Sequence, residues 1–306
     1  VIVSETRDTT VAVLGLGRMG TAIAHSVSRG GFRLKIWNRD PSRALSLAAQ
    51  GIAVADTPRE AATGASVVIS SVLDDRAVNA VVEGPSGLLA GLEEGAVHVG
   101  TSTISPTLSR ELAARHTQAG GSYVAAPVLG RPSSAEAALL TSFVAGDPSA
   151  VAASRRVVAT YSETVVELGP DHGISNALKL AANYWTISII DLMGQLFAFS
   201  EKSGIETQQM LEIIKMLLRR PALPRYAQAV AGREYTPPGF GLSAGLKDVE
   251  LILTEAASVG APLDFARLIC EKFLKALDSD PDAQLDWSAI TEVTRADAGL
   301  ASLFTS

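Results

Sequence analysis

Apolar residues in the first half of the chain come in short runs, and stretches with helical spacing separate them. Residues 11–14, 33–37, 52–55, 66–72, 96–99, 123–128, 142–145 and 164–168 read as strands. Residues 21–29, 42–50 and 106–119 read as helices. Such alternation predicts a parallel sheet covered on both faces, with ligands gathering beyond the carboxyl ends of its strands. After Gly169 the pattern changes. Residues 173–203 lack proline and repeat apolar positions at helical spacing, which predicts one helix of about thirty residues, roughly 45 Å long. Helices are also expected at 206–219, 244–259 and 263–277, with a short one near 287–293. Pro237-Pro238-Gly239 keeps 233–240 out of helix. The expected organisation is an α/β domain over 10–168, a long interdomain helix, and an all-α domain over 169–306. Ile187, Ile190, Met193, Leu196 and Phe197 spread around most of the long helix, more than one apolar stripe requires. A partner subunit is expected to cover it.

The first strand runs into Gly15-Leu16-Gly17-Arg18-Met19-Gly20, a Gly-x-Gly-x-x-Gly turn followed by a helical pattern. Gly15 permits the tight turn, Gly17 lets a pyrophosphate approach the backbone, and Gly20 lets the helix pack on the strand. The helix N-terminus then faces the anion. These features predict a Rossmann-type dinucleotide site at Gly15 to Gly20, with Val72 and Leu73 at the end of the fourth strand as further cofactor contacts. NAD-binding folds place an acidic residue at the end of the second strand. Here that place reads Asn38-Arg39-Asp40. Asn38 is neutral, and Arg39 suits a 2′-phosphate, with Arg43 one turn further on. The plain alternative is a surface Arg39 beside an Asp40 that caps the Pro41 helix. The expected cofactor is NADP.

Composition narrows the partners. The chain has 306 residues and a net charge of −6, which argues against nucleic acid and acidic membranes as partners. Only 5% of residues are aromatic, so the cores are expected to be aliphatic. Cys270, the one cysteine, sits in an apolar helical pattern and reads as a small buried hydrophobe. A single cysteine and the lack of a long apolar run fit a cytoplasmic protein. The chain begins at Val1, and residues 1–9 read as an arm outside the fold.

Ser102-Thr103-Ile104-Ser105-Pro106 follows the fifth strand. Ser105 before Pro106 is a helix cap. Ser102 and Thr103 lie where a nicotinamide is expected, with hydroxyls able to bond its amide or the substrate. Lys179 and Asn183 stand four apart on one face of the long helix, and Asn176 lies three residues before the lysine. A lysine on a helix ordinarily snorkels to solvent. His98, His116 and His172 are scattered, without ligand spacing, so no metal site is expected. Asp171-His172 reads as a cap, with catalysis by His172 the alternative.

Together these motifs resemble the β-hydroxyacid dehydrogenase family, which includes 3-hydroxyisobutyrate dehydrogenases and is related to the imine reductases. Gly-Leu-Gly-x-Met-Gly matches at 15–20, Ser-Thr-Ile at 102–104, and Lys-x-x-Asn-Asn at 179–183 with Ala182 in place of the first Asn. Phe-x₆-Lys-Asp matches at Phe240 and Lys247-Asp248. The resemblance implies hydride transfer from NADPH to a carbonyl, with Lys179 donating to the developing alkoxide and Asn183 orienting substrate or lysine. It also implies that Lys247 reaches the cofactor, that Phe240 lines the substrate site, and that the chain is a homodimer or homotetramer.

One segment departs from the family pattern. Ala-Pro-Val-Ser-Gly-Gly, which holds a substrate carboxylate, is replaced by Ala126-Pro127-Val128-Leu129-Gly130-Arg131-Pro132. Leu129 offers no hydroxyl, and Arg131 either clamps a carboxylate or faces solvent. Leu129, Gly130 and Arg131 remain the candidate substrate loop, now for a bulkier or less polar molecule. Two other readings stand beside carbonyl reduction: imine reduction, and a non-catalytic NADPH-binding protein.

Overall fold

The computed structural model describes residues 9–279 and 284–304; the arm expected at 1–9 lies, except for Thr9, outside them. β1 (Thr10–Leu14) enters α1 (Arg18–Arg29), followed by β2 (Arg33–Trp37), α2 (Leu45–Ala48), β3 (Ala53–Val54) and α3 (Pro58–Ala62). β4 (Val67–Ser70), α4 (Asp75–Val82), β5 (Val97–Gly100), α5 (Pro106–Gln118) and β6 (Ser122–Ala125) continue the alternation. β7 (Val128–Leu129), α6 (Pro132–Glu136), β8 (Leu140–Gly146), α7 (Pro148–Val158) and β9 (Ser162–Glu167) complete the sheet region. The strands lie in the order β3-β2-β1-β4-β5-β6-β8-β7, with β9 beside β8. From β3 to β6 all neighbours are parallel. The chain switches direction of travel between β1 and β4, the place where such sheets open a crevice for ligands.

Both faces of the sheet are covered, as the continuous apolar runs require. Val11 and Val13 of β1 pack with Ile23 and Val27 of α1. Ala12 and Leu14 point the other way, into a cluster with Leu108 and Leu112 of α5. This period-two division repeats along β4, where Val67 and Ile69 join the first cluster and Val68 the second.

The sheet departs from the wholly parallel one that the alternation predicts. β8 runs antiparallel to β6 and β7. The single strand expected at 123–128 is two, β6 and β7, broken at Pro127, which has no N–H for a ladder. Its carbonyl still accepts from the Phe143 N–H at 3.0 Å. The helix expected at 42–50 is a 3-10 turn at Pro41–Ala44 followed by one α-turn, and Asp40 caps it by accepting from the Ser42 N–H. Apolar periodicity does not predict helices α3, α4 and α7. Each opens on a side-chain cap, Thr57, Asp74 or Asp147. The Thr-Pro and Asp-Pro pairs before α3 and α7 are their legible start signals.

The chain divides into two compact units, Val1–Trp185 and Thr186–Ser306, and the division falls within the 31-residue helix α8 (His172–Lys202). The second unit also holds α9 (Thr207–Arg219), α10 (Ala222–Gly232), α11 (Leu242–Val259), α12 (Asp264–Ser279) and α13 (Thr291–Asp297). Pro224 hides helix α10 from the sequence pattern. That proline stands in the first turn, where its missing N–H costs nothing. Leu242, Val249, Phe273, Ala276 and Val293 form this unit's core. A Cβ on Gly245 would stand 2.6 Å from the Phe273 ring, so glycine lets α11 and α12 approach.

A fully buried carboxylate ties the unit's last segments together. Glu292 accepts two bonds from Arg233, at 3.0 and 2.8 Å, one from the Tyr235 hydroxyl and one from the Leu303 N–H. Cys270 is only partly buried, and burial with Glu250 and Glu271 nearby pushes its thiol pKa up. No helix among the described residues is long and apolar enough to cross a membrane.

Candidate active site

The turn from β1 into α1 has the geometry its glycines imply. Gly15 adopts φ 95°, and a Cβ there would meet the Ser71 carbonyl oxygen at 2.4 Å. A Cβ on Gly20 would stand 1.9 Å from the Gly15 carbonyl oxygen, so the helix touches the turn directly. Gly17 differs, because a Cβ there would meet nothing within 4 Å. It is the N-cap of α1, with no side chain bonded to the helix's first N–H groups. An open backbone, free N–H donors and a positive dipole end suit a pyrophosphate.

A cleft of about 1020 Å³ opens in front of this turn. Of the residues expected to bind cofactor, Gly15, Gly17, Arg18, Met19 and Gly20 line it, as do Asn38, Arg39, Val72 and Leu73. Leu16, Thr103 and Lys247 do not; the Leu16 side chain is buried in the first core cluster. Arg39 is exposed on the cleft and makes no ion pair among the described residues. Arg43 stands 3.9 Å from Asp40. The remaining lining, which includes Asp56 to Pro58 and Glu83 to Gly87, carries no motif that would announce it in the sequence. The size and donor set of the cleft fit a dinucleotide.

Several side chains expected as ligand contacts also hold loops together. Asn38 Oδ1 accepts from the Leu16 N–H at 2.8 Å, while its Nδ2 donates to the Asp40 carbonyl at 2.9 Å. Ser102 is buried, and its Oγ accepts from the Val72 N–H at 2.9 Å. Its own O–H is left for a further acceptor. Thr103 beside it is half-buried. Ser105 caps α5 by accepting from the Leu108 N–H, as its place before Pro106 predicts.

Lys179 lies on the buried face of α8 with Ser175 and Asn176. Only 8% of its surface is exposed, and its ammonium has no ion-pair partner among the described residues. Burial lowers its pKa from the ordinary lysine value. Asn183, one turn on, is half-buried. Asn176 is fully buried, and its Oδ1 accepts from the Ile104 N–H at 3.2 Å.

Among the candidate substrate residues, Leu129 is partly exposed at the end of β7, and Arg131 is exposed at the start of α6. Gly130 has φ 137°, and a Cβ there would strike Leu140 at 2.5 Å, so this position serves the turn. Phe240 and Lys247 belong to the second compact unit. Phe240 packs edge-on against Trp287, with ring centroids 4.8 Å apart. Lys247 is exposed and pairs with Asp248 at 2.7 Å.

The histidines are not scattered. His98 Nδ1 lies 2.9 Å from His116 Nε2, and both rings are buried beside Tyr123. His116 Nδ1 is 2.7 Å from the Leu112 carbonyl, and His98 Nε2 is 2.8 Å from Ser70 Oγ. The carbonyl can only accept, so His116 carries its proton on Nδ1 and accepts at Nε2. His98 then donates from Nδ1 and accepts the Ser70 hydroxyl at Nε2. This assignment holds for two neutral rings, the form that burial favours at both. Strand register and helix position bring these residues together, which their sequence spacing hides. His172 Nε2 donates to the Tyr123 carbonyl at 2.9 Å. Asp171 accepts from the Gly173 N–H at 3.0 Å as the cap the sequence predicts, and Arg110 grips it with two bonds of 2.8 Å.

Comparison with known proteins agrees with this architecture. Residues 10–169 match the family model of the NAD binding domain of 6-phosphogluconate dehydrogenase. Residues 173–294 match that of the NAD-binding domain of NADP-dependent 3-hydroxyisobutyrate dehydrogenase. The chain is 37% identical to the uncharacterized oxidoreductase YfjR of Bacillus subtilis, covering 92% of this chain and 98% of the relative. It is 28% identical to 3-hydroxyisobutyrate dehydrogenase of Pseudomonas aeruginosa, covering 94% and 99%. The solved imine reductase from Myxococcus stipitatus, a variant in complex with NAD+, shares the fold at TM-score 0.85 and 20% identity, covering 94% and 99%.

The histidine pair makes stability depend on pH. Burial, opposed by the Leu112 bond, holds His116 down at about 4, and burial with His116 alongside holds His98 well below its ordinary value. Below pH 6.5 the unfolded chain takes up protons that the folded chain refuses, so stability falls from pH 6.5 towards 4. The expected loss from His116 is about 3 kcal/mol across that window. Urea unfolding at pH 7 and 4.5 checks it: the loss shrinks in the His98→Leu/His116→Leu double variant. An equal loss in both chains would refute it.

Proposed function

The chain belongs to the β-hydroxyacid dehydrogenase family of the 3-hydroxyisobutyrate dehydrogenase type, an NAD(P)-dependent oxidoreductase family, and we propose that it reduces a carbonyl with NADPH, with Lys179 as the proton donor. The observation that carries this reading is the buried Lys179, without a carboxylate partner among the described residues, on the helix whose Asn176 binds the Ser102–Ile104 loop. When bound, the reduced nicotinamide supplies hydride to an electrophilic carbon. The residues that would hold the dinucleotide are Gly15 to Gly20, Asn38, Arg39, Val72, Leu73 and Thr103, with Lys247 added by the family resemblance.

A buried ammonium with no counter-ion strongly favours a group that gains negative charge. Lys179 therefore stabilises the oxygen that becomes an alkoxide, and donates to it. Its lowered pKa eases release of the proton. Asn183 orients the substrate or the lysine. Ser102 has an O–H free to donate, because the Val72 N–H occupies only an acceptor position. Leu129 and Arg131 are proposed to face the acceptor's substituent, and Phe240 to complete the substrate site. Leu129 in place of a hydroxyl favours an aldehyde or keto acid with an apolar portion.

The substituted 129–132 loop also supports a second reading, imine reduction. NADPH oxidation separates the two, with glyoxylate and succinic semialdehyde on one side and 2-methylpyrroline on the other. Turnover of the imine alone would sink carbonyl reduction. NADPH binding without turnover of any of them would favour a non-catalytic protein. With a carbonyl acceptor, Lys179→Ala is expected to lower kcat/KM by about 100-fold or more. A variant working at near wild-type rate means another group donates the proton.

Arg39 is the residue proposed to select NADPH. Loss of its charge-assisted bonds to a 2′-phosphate is expected to cost about 10-fold or more in KM for NADPH in Arg39→Ala. KM for NADH should stay within about twofold, since NADH lacks the phosphate. Equal changes for both cofactors would remove Arg39 from this role.

A homodimer or homotetramer is proposed on the apolar side chains the chain leaves uncovered. Ile187 and Ile190 of α8 and Leu251 of α11 are each at least 60% exposed. Isolated apolar side chains on a surface are ordinary, but large ones recur on α8, α9, α11 and α12. Light scattering at micromolar concentration is expected to give a multiple of 31.9 kDa. The mass of one chain would rule the assembly out.

A further inference from the structure

We propose that Asn176 is a positioning residue that sets Lys179 against the Ser102–Ile104 loop. The assignment rests on Lys179 being the proton donor. Asn176 is fully buried, three residues before Lys179 on the same face of α8. Its two amide functions reach two different elements. Oδ1 accepts from the Ile104 N–H at 3.2 Å, directly after Thr103. Nδ2 donates to Ser109 Oγ of α5 at 3.2 Å.

Ser109 is held in turn. Its O–H donates to the His172 carbonyl at 3.0 Å, in the first turn of α8, while its oxygen accepts from Asn176. Bonding on both its donor and its acceptor side orients the hydroxyl, and with it the amide of Asn176. Ser175 on the same helix reaches the Ala125 carbonyl at 3.4 Å. The first turns of α8 are thus held to the exits of β5 and β6 and to α5 by side-chain bonds.

Within this set, only Asn176 joins the lysine-bearing helix to the loop that carries Ser102 and Thr103. The Ile104 N–H is buried and has no strand neighbour to accept it, so an acceptor must come from the side. Because Asn176 supplies it, a shift of α8 along its axis breaks that bond before it moves Lys179 far. An asparagine fits this task because one short, rigid group holds an acceptor and a donor on opposite sides. Aspartate would bring a buried charge, and alanine would leave the Ile104 N–H unpaired and remove a donor from Ser109.

The test compares wild type, Asn176→Ala and Asn176→Gln, using NADPH with glyoxylate, succinic semialdehyde and 2-methylpyrroline. Glutamine keeps both amide functions but displaces them by one methylene. Displacing a catalytic group by about 1 Å is expected to lower kcat by about 10- to 100-fold. KM for the acceptor and the fluorescence-measured Kd for NADPH should stay within about threefold, because neither contact set is removed. Rates are taken per NADPH-binding site, so loss of folded protein does not count as loss of kcat. If the alanine variant does not fold, the glutamine variant carries the test. Either folded variant retaining kcat within twofold overturns the assignment, as does a loss that appears only in Kd or KM. Wild type without turnover of any acceptor overturns the reductase reading and this assignment with it. An active wild type beside unaffected variants overturns this assignment alone.

Discussion

The carboxyl edge of a parallel sheet leaves loop N–H groups that no strand ladder can satisfy, and this constraint organises the whole site. Three such groups are met in the same way. The Leu16 N–H after β1 is taken by Asn38, which follows the neighbouring β2. The Val72 N–H after β4 is taken by Ser102, which follows the neighbouring β5. The Ile104 N–H after β5 is taken by Asn176 of α8. Each loop is fixed by a polar side chain from the next element, so the cleft walls are set before any ligand arrives. Polar residues at strand ends hold these loops. Asn38 uses both functions of its amide, whereas Ser102 uses an acceptor position and keeps its O–H for a further acceptor.

This bonding between elements explains what is legible in the sequence and what is not. The glycine turn can be read residue by residue, because each glycine meets a local steric demand. Gly15 needs a positive φ, and Gly20 has no room for a Cβ. The helix caps at Asp40 and Ser105 are equally local. The long helix follows from about thirty residues of unbroken periodicity. What stays hidden depends on pairing across the fold. Nothing near His98 or His116 announces that β5 and α5 bring their rings to 2.9 Å. The reversal of β8 is hidden for the same reason, since strand direction is decided by how the chain crosses the sheet. Position alone places Asn38 at the cleft and Ser102 beyond β5, but their loop-holding bonds need the register of two strands each.

The buried histidine pair belongs to the same logic. Ser70 is the last residue of β4, next to the loop that carries Val72 and Leu73. Its carbonyl accepts both from the Thr101 N–H and from the Thr101 hydroxyl, each at 2.9 Å. Its hydroxyl is held by His98, and His98 by His116, which stands on α5, the helix that follows the 102–105 loop. The pair thus fastens the β4 and β5 exits to α5 from beneath. Neutral imidazoles suit this place because each offers one donor and one acceptor, so the chain of bonds has a single direction and no leftover charge.

The substrate side follows from how its loop is anchored. Ser26 of α1 donates to the Ala135 carbonyl of α6 at 2.8 Å, in a buried bond, and Arg29 donates to Ser26 Oγ at 2.9 Å. Arg29 also reaches the Glu136 carbonyl. The helix that begins at the glycine turn therefore carries the segment that follows Arg131. Pro132 opens α6 directly after Arg131, and Gly130 is locked in its turn by the closeness of Leu140. A loop fixed at both ends cannot exchange one set of contacts for another by moving. Its preference must come from the groups it presents, an aliphatic side chain at 129 and a guanidinium at 131. The turn proposed to hold the cofactor and the loop proposed to meet the acceptor are thus tied together by side-chain bonds between α1 and α6.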